Sequence, residues 1–142
     1  MDGLIVAEKI EALRRCVRRI EDRRATTAAE LRQDVDRQDI LSLNLTRAVQ
    51  LCVDIAAHVL SGTERQAPQT MGEAFALLAE DGRISAELAR RLRAAVGFRN
   101  IAVHAYSAID WDIVHAISYA GMDDFRQFAS AMATAVEEGA RR

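Results

Sequence analysis

The segment ATTAAELRQDVDRQDILSLNLTRAVQLCVDIAAHVLSG, residues 25–62, decides the fold class of this chain. Thr26 or Thr27 can cap a helix at its start, and Glu30 completes a capping box with Thr27. The second half spaces its apolar residues alternately by four and by three, at Leu41, Leu45, Ala48, Cys52, Ile55 and Val59. Three more apolar residues widen this face: Ile40, Leu43 and Leu51. The pattern predicts one long helix that ends at Ser61 and Gly62 and is either central in its own bundle or shared with a second subunit.

The composition supports an all-α protein. Half of the 142 residues are hydrophobic, aromatic residues make up only 5%, and the chain has a single proline. Good helix formers dominate, and the aromatic and β-branched residues that strands favour are scarce. A chain of this length buries one core, and the sequence contains no repeat or linker. We therefore expect residues 1–142 to form a single domain.

The first helix is expected to run from about residue 2 to residue 24. It places five apolar residues on one face, at Val6, Ile10, Leu13, Val17 and Ile20. The opposite face carries two basic rows, Arg14 with Arg18 and Arg15 with Arg19. Such a face is typical of a helix surface that contacts solvent or a partner.

Three further helices follow the loop around Pro68. A short one carries Met71, Phe75 and Leu78 and ends at Gly82, and the next begins at Ser85. Asp110 or Ser107 can cap a last helix, which has an inward face of Val114, Ile117, Gly121, Phe125, Phe128, Met132 and Val136. The sequence thus predicts an antiparallel bundle of four principal helices plus one short connecting helix.

Charge, cysteines and hydropathy indicate a cytoplasmic protein. A net charge of −2 argues against a general binder of nucleic acids or anionic membranes, which depends on a large excess of positive charge. Cys16 and Cys52 lie in apolar rows without a Cys-x-x-Cys pairing, so we expect reduced core residues. The chain has no arginine-rich start with an apolar core and no run of ~18 apolar residues, so no membrane span is expected.

Polar residues interrupt an apolar helical row in FRNIAVHAYSAIDWD, residues 98–112. The i+4 positions from 88 to 104 are Leu, Leu, Val, Asn and His, so Asn100 and His104 share one side of a helix. Arg99 lies about 140° away from His104 on an ideal helix. A helix that ends near Ala105 would bring Tyr106 beside the imidazole.

These four residues either are polar groups that a core tolerates or form a site. Together they supply a fixed cation, an amide, a titratable imidazole and a phenol. This set suits a phosphodiester, because Arg99 could stabilise charge on a pentavalent phosphorus while His104 moves a proton. The motif-bearing segment also contains several arginines that could line a narrow basic cleft, namely Arg83, Arg90, Arg91, Arg93 and Arg99.

RNIAVHAY, residues 99–106, resembles the Arg-x-x-x-x-His-x-Tyr signature of the HEPN superfamily, and specifically of the HepT toxins of HepT–MntA toxin–antitoxin pairs. The following SAIDWDIVHAI is similar to the run from this motif into the last helix of that family. The resemblance implies a metal-independent endoribonuclease in which Arg99 and His104 are the catalytic pair and Asn100 assists them. The 2′-hydroxyl of the RNA substrate would attack the neighbouring phosphate.

The resemblance also implies partners. It implies a homodimer in which motifs of both subunits line one cleft, and a cognate minimal nucleotidyltransferase that acts as antitoxin. Tyr106 would be the hydroxyl to which this enzyme transfers AMP from ATP, and the added anion would then block the cleft. No cofactor is implied.

Two other interpretations compete with the nuclease. Asp54 with His58 and Asp112 with His115 have helical spacings found in metal sites, but the chain lacks the Glu-x-x-His pairs of di-metal bundles, so no metal site is expected. Alternatively, the motif forms an interaction surface, and the protein is a non-enzymatic partner or substrate-presenting subunit of a small nucleotidyltransferase.

Overall fold

The computed structural model describes residues 1–141, which form α-helices connected by turns and short loops. The helices are α1 (Gly3–Arg23), α2 (Ala28–Arg32), α3 (Val35–Ser61), α4 (Met71–Glu80), α5 (Ala86–His104) and α6 (Trp111–Ala140), and a 3₁₀ turn spans Tyr106–Ala108. Four of these helices, α1, α3, α5 and α6, are long. The fold is an antiparallel helical bundle, which confirms the all-α prediction, with α2 and α4 as short connecting helices.

Helix α3 is the centre of the bundle, because it contacts each of the other five α-helices. Its predicted apolar row is buried without exception, at Leu41, Leu45, Ala48, Cys52, Ile55 and Val59. The widened part of the face behaves differently. Leu43 is 50% exposed, and Ile40 and Leu51 are partly buried. Helix α3 is therefore central in its own bundle and still presents apolar surface to solvent.

The prediction of a single long helix over residues 27–61 is wrong, because the helix is interrupted at Gln33 and Asp34. Thr27 caps α2 by accepting a hydrogen bond from the Glu30 amide at 3.2 Å, as expected. Asp34 then adopts an extended conformation, and its carboxylate accepts from the Arg37 amide at 3.0 Å. An aspartate in mid-helix competes with the backbone for hydrogen bonds, and here it begins a new helix.

The core is continuous across the bundle and contains side chains from all six helices. Phe75 of α4 and Phe128 of α6 meet edge to face, with ring centroids 5.8 Å apart. Cys16 and Cys52 are both buried and free, as predicted, and burial raises the pKa of both thiols. The core thus links α4 and α5 to α6 largely through apolar contacts.

Within residues 1–141, α3 is also the one helix with the length and hydropathy that a membrane span requires. Half of its most apolar window is buried inside the bundle. A core helix of this kind passes the same test, so its apolar character is explained by its central position.

Side-chain caps fix the start of each later helix. Thr70 caps α4, Ser85 caps α5, and Asp110 caps α6, each through a side-chain oxygen that accepts a backbone N–H. Between α4 and α5 the chain turns at Gly82, whose φ of 73° lies in the left-handed region. These signals place the end of α5 and the start of α6 close together, with the 3₁₀ turn between them.

Replacing Gly82 with Ala should destabilise the protein by about 1 kcal/mol, because a Cβ is disfavoured in the left-handed region even though nothing lies within 4 Å of it. The matched control is Gly97→Ala in the exposed interior of α5, where a Cβ also meets nothing within 4 Å. That change should stabilise by about 0.5–1 kcal/mol, since alanine loses less entropy in a helix. Urea denaturation at fixed protein concentration measures both. Shifts of the same sign would contradict this account.

Candidate active site

The motif occupies the last turn and a half of α5 and the turn that follows. Helix α5 remains regular up to His104, and Ala105 leaves the helical conformation while its N–H still donates to the Ile101 carbonyl at 2.8 Å. Because the helix does not distort, Arg99 and His104 lie on different sides of it. A guanidinium nitrogen of Arg99 donates to Oδ1 of Asn100 at 3.2 Å, and Asn100 lies one turn before the exposed His104. Asn100 therefore lies between the cation and the imidazole.

Arg99 retains an uncompensated charge. Its side chain is half-buried, and its buried Nε has no hydrogen-bond partner. In the part of the chain that the structure describes, no carboxylate lies within ion-pair distance of its guanidinium. A buried donor without a partner is costly, and an anion would satisfy it. The Arg99 guanidinium is therefore available to pair with an anion.

Most of the other arginines predicted for a basic cleft do not contribute free charge. Arg83 pairs with Glu138 at 2.7 Å, Arg90 pairs with Glu87, and Arg91 pairs with both Glu87 and Asp124. Of the five, only Arg93 and Arg99 have no carboxylate partner within residues 1–141. The expected basic cleft on this segment is therefore reduced to Arg99 near the motif.

Tyr106 opens the 3₁₀ turn and is 45% exposed. The helix ends where the sequence indicated, but the phenol is held by residues outside α5. Its hydroxyl donates to Oδ1 of Asp39 on α3 at 2.7 Å, and its ring meets Trp111 of α6 at a centroid distance of 6.0 Å. The hydroxyl is thus fixed at the surface where α3, the turn and α6 meet.

The environment raises the pKa of Tyr106. Partial burial is the main cause, and the hydrogen bond to the Asp39 carboxylate adds to it, while the nearby Ser42 hydroxyl acts in the opposite direction. The phenol therefore keeps its proton at neutral pH and donates it to Asp39.

Sequence reasoning missed Asp39 because it lies 67 residues before its partner, and no spacing rule connects them. Trp111 belongs to the stretch quoted around the motif, but its contact depends on the short turn between α5 and α6. The sequence marks Asp39 only as one of several polar residues of α3, one turn before Leu43.

An apolar groove lies beside the motif, between α5 and α6. It has a volume of about 540 Å³ and is lined mainly by alanine and isoleucine side chains. Two of the isoleucines remain largely exposed, Ile101 at 44% and Ile113 at 53%. Ile101 follows Asn100 directly in α5, so the groove adjoins the motif.

The residue pairs considered for a metal have other partners. Asp54 accepts a hydrogen bond from Gln50 at 3.0 Å and pairs with Lys9 at 3.7 Å, while Asp112 pairs with Arg32. Across residues 1–141, no group of three or more His, Cys, Asp or Glu side chains is placed to hold a metal ion.

Comparison with known sequences identifies the family of this chain and a curated relative. A family model described as "Ribonuclease HepT-like" matches residues 13–132. The mRNA nuclease HepT of Shewanella oneidensis is 36% identical over 124 residues, which cover 87% of this chain and 92% of that protein.

Solved structures agree with this match. A tri-AMPylated Shewanella oneidensis HEPN toxin in complex with MNT antitoxin superposes with a TM-score of 0.85 at 34% identity, covering 94% of this chain and 98% of that chain. A toxin–antitoxin structure with AMP-PNP gives a TM-score of 0.83 at 33% identity, covering 93% and 98%. The cytosolic protein YutE from Bacillus subtilis has a TM-score of 0.85 at 12% identity, covers 98% and 93%, and shares the fold alone. The resemblance found at residues 99–106 is thus confirmed over most of the chain, which belongs to the HepT-like ribonuclease family.

Proposed function

We propose that this chain is a metal-independent endoribonuclease toxin of a toxin–antitoxin pair and that a cognate minimal nucleotidyltransferase neutralises it by transferring AMP to Tyr106. The observation that carries the proposal is the uncompensated Arg99 guanidinium, five residues before an exposed His104 in a chain of the HepT-like ribonuclease family. Most of the other arginines of the segment are neutralised by carboxylates.

In the proposed reaction the substrate RNA supplies its own nucleophile. The 2′-oxygen attacks the neighbouring phosphorus, a new O–P bond forms, and the bond from phosphorus to the 5′-oxygen breaks. His104 moves the proton that passes from the 2′-hydroxyl to the 5′-oxygen, and Arg99 stabilises the charge on the phosphorane. Asn100 holds the guanidinium through its hydrogen bond. These residues supply both acid–base catalysis and charge stabilisation, which supports a reaction without metal.

The homodimer is part of the proposal. Arg99 and His104 lie on different sides of a regular helix, so a second motif could provide the group that one chain cannot bring close. The apolar groove between α5 and α6 supplies an exposed hydrophobic surface next to the motif, as a subunit interface requires. We propose that a second copy covers this groove.

Tyr106 is the proposed AMP acceptor. Its phenolic oxygen would attack the α-phosphorus of ATP, pyrophosphate would leave, and the phenolic proton would pass to Asp39, which already accepts its hydrogen bond at 2.7 Å. The product would carry a phosphate and an adenosine two residues after His104, at the surface where α3, the turn and α6 meet. That anion would compete with the phosphate of RNA.

Two broader expectations belong to the same proposal. One continuous core supports a single domain over residues 1–142. A cytoplasmic location would give the protein access to both RNA and ATP, and the apolar character of α3 is already explained by its central place in the bundle.

Arg99→Ala and His104→Ala should each lower RNA cleavage at least about 100-fold, because each removes charge stabilisation or proton transfer from the transition state. Cleavage of a labelled single-stranded RNA in the presence of EDTA measures the effect. Arg93→Ala is the matched control, since it removes an unpaired arginine from the same helix and should leave the rate unchanged.

Each variant must retain the circular dichroism spectrum of the parent protein. If the parent cleaves no RNA yet forms a stable complex with a nucleotidyltransferase, the protein is a binding partner and not a nuclease. If the variants change only stability, the motif is structural.

Ile113→Asp should convert the dimer to a monomer, because it places a charge in the apolar groove. Leu4→Asp is the control, since Leu4 is 70% exposed on α1, away from the groove. Light scattering coupled to size exclusion measures the mass of each variant, and RNA cleavage should fall with dimer content. A dimer that survives Ile113→Asp would place the subunit interface elsewhere.

Tyr106→Phe should abolish AMP transfer from labelled ATP by the cognate nucleotidyltransferase, because the acceptor oxygen is removed. Tyr119→Phe is the matched control, since Tyr119 is the only other tyrosine and its hydroxyl already donates to the Ala25 carbonyl. Asp39→Asn should slow the transfer at least about tenfold, because an amide cannot take the phenolic proton. Undiminished labelling of Tyr106→Phe would assign the modification to another residue.

A further inference from the structure

A second group of uncompensated arginines lies outside residues 99–106, on α1 and α3. Arg15 and Arg19 are on the predicted basic row of α1, and Arg47 is on α3. All three are exposed, and within residues 1–141 none has a carboxylate within ion-pair distance. The neighbouring Arg14, by contrast, pairs with Glu11 at 2.7 Å. The positive charge of Arg15, Arg19 and Arg47 is therefore not neutralised by a neighbouring carboxylate.

These three arginines line one groove between α1 and α3. The groove has a volume of about 610 Å³, which is within the range of ligand-binding clefts. Its apolar lining includes Leu43, which is 50% exposed. Its one carboxylate, Asp54, lies at the far end and is already paired with Lys9. The groove is consequently positive, with an apolar surface between the charges.

Arginines from the two helices converge on the same place. Cys16 also lines the groove, and the charges of Arg47 and Arg15 both reach its thiol, where they oppose the rise in pKa that burial causes. Arg15 of α1 and Arg47 of α3 therefore line the same groove, beside Cys16.

The groove begins next to the motif. Asp39, which accepts the hydrogen bond from Tyr106, is followed along α3 at i+4 intervals by Leu43 and Arg47. Residues at this spacing lie on one side of a helix, and the rise from Asp39 to Arg47 is about 12 Å. A ligand bound near Tyr106 can thus continue along α3 over Leu43 to Arg47.

We propose that the groove between α1 and α3 binds the single strand of RNA that flanks the cleaved phosphate, with Arg15, Arg19 and Arg47 on the backbone and Leu43 under a base. This inference rests on the proposed function for its substrate. Proteins that bind single strands combine a positive groove along the backbone with apolar or aromatic surfaces for the bases. Arginine is suited to phosphate because its guanidinium donates two parallel hydrogen bonds to it.

The charges favour RNA over a protein in this groove. A second copy related by a two-fold axis would bring the same arginines face to face, and like charges repel. An apolar partner surface would bury three guanidinium groups without counter-charges, which is costly. The phosphates of RNA can pair with all three arginines. The net charge of −2 does not oppose this, because the positive charge is local to the groove.

The test uses a fluorescent single-stranded RNA in which every 2′-hydroxyl is methylated, so that binding is measured without cleavage. The groove variant carries Arg15→Gln, Arg19→Gln and Arg47→Gln. The control variant carries Arg18→Gln, Arg23→Gln and Arg93→Gln, three arginines that also lack ion pairs but do not line the groove. Binding is measured by fluorescence anisotropy over a range of salt concentrations.

The slope of log K against log salt should fall by about 2 for the groove variant, because each phosphate contact on a single strand contributes about 0.7. Affinity should fall at least about tenfold at physiological salt, and the control variant should remain close to the parent. Replacing the same three positions with Lys should restore most of the salt slope, since the positive charge returns.

Parent-like binding by the groove variant would overturn the proposal. A changed oligomeric state of the groove variant would also overturn it, because the groove would then be a subunit interface. If the groove variant still binds RNA but no longer binds the nucleotidyltransferase, the groove is a docking site for that protein. The outcome is independent of the nuclease. If RNA binding depends on the groove but the protein cleaves no RNA, the proposed nuclease function is wrong and the proposed RNA groove is retained. If the protein cleaves RNA but the groove variant binds RNA as the parent does, the nuclease function is retained and the proposed RNA groove is wrong.

Discussion

The burial of one apolar face of α3 against all the other helices is the constraint on which the structure depends. Hydrophobic burial is the dominant favourable term in folding, and here most of it involves this helix. With α3 in the centre, α1 packs on one side, and α4 with α5 packs on another. The surfaces left open on α3 are those that adjoin Tyr106 and the arginine groove. The core of the bundle therefore decides which polar residues can meet at its surface.

Much of the fold and the sequence motif could be predicted because both are local. Apolar spacing placed the four long helices, and caps at Ser85 and Asp110 placed the two that flank the motif. The break at Asp34 was missed because a continuous helical pattern on both sides outweighed one capping residue. Whether a helix is interrupted at such a residue depends on competition between its side chain and the backbone for hydrogen bonds. The spacing of apolar residues carries no information about that competition.

The surroundings of the motif could not be predicted to the same extent. The hydrogen bond between Tyr106 and Asp39 connects α3 to a turn 67 residues later, and only the packed bundle brings the two together. Sequence also cannot separate a free arginine from a paired one. Arg90 and Arg91 appeared as available charge beside Arg99, yet Glu87 and Asp124 neutralise them. The distribution of ion pairs, more than the number of arginines, determines where a chain with a net charge of −2 can attract an anion.

The motif contributes little to the core, and this has an evolutionary consequence. Asn100, His104 and Tyr106 are exposed, and the residues that stabilise the bundle lie elsewhere. A chain that lost the exposed His104 side chain would keep its helices and its tyrosine turn, because that side chain is not part of the core. Given the roles proposed for Arg99 and His104, catalysis could be lost while binding persists, and members of one family could diverge between cutting RNA and only holding a partner without any change of fold.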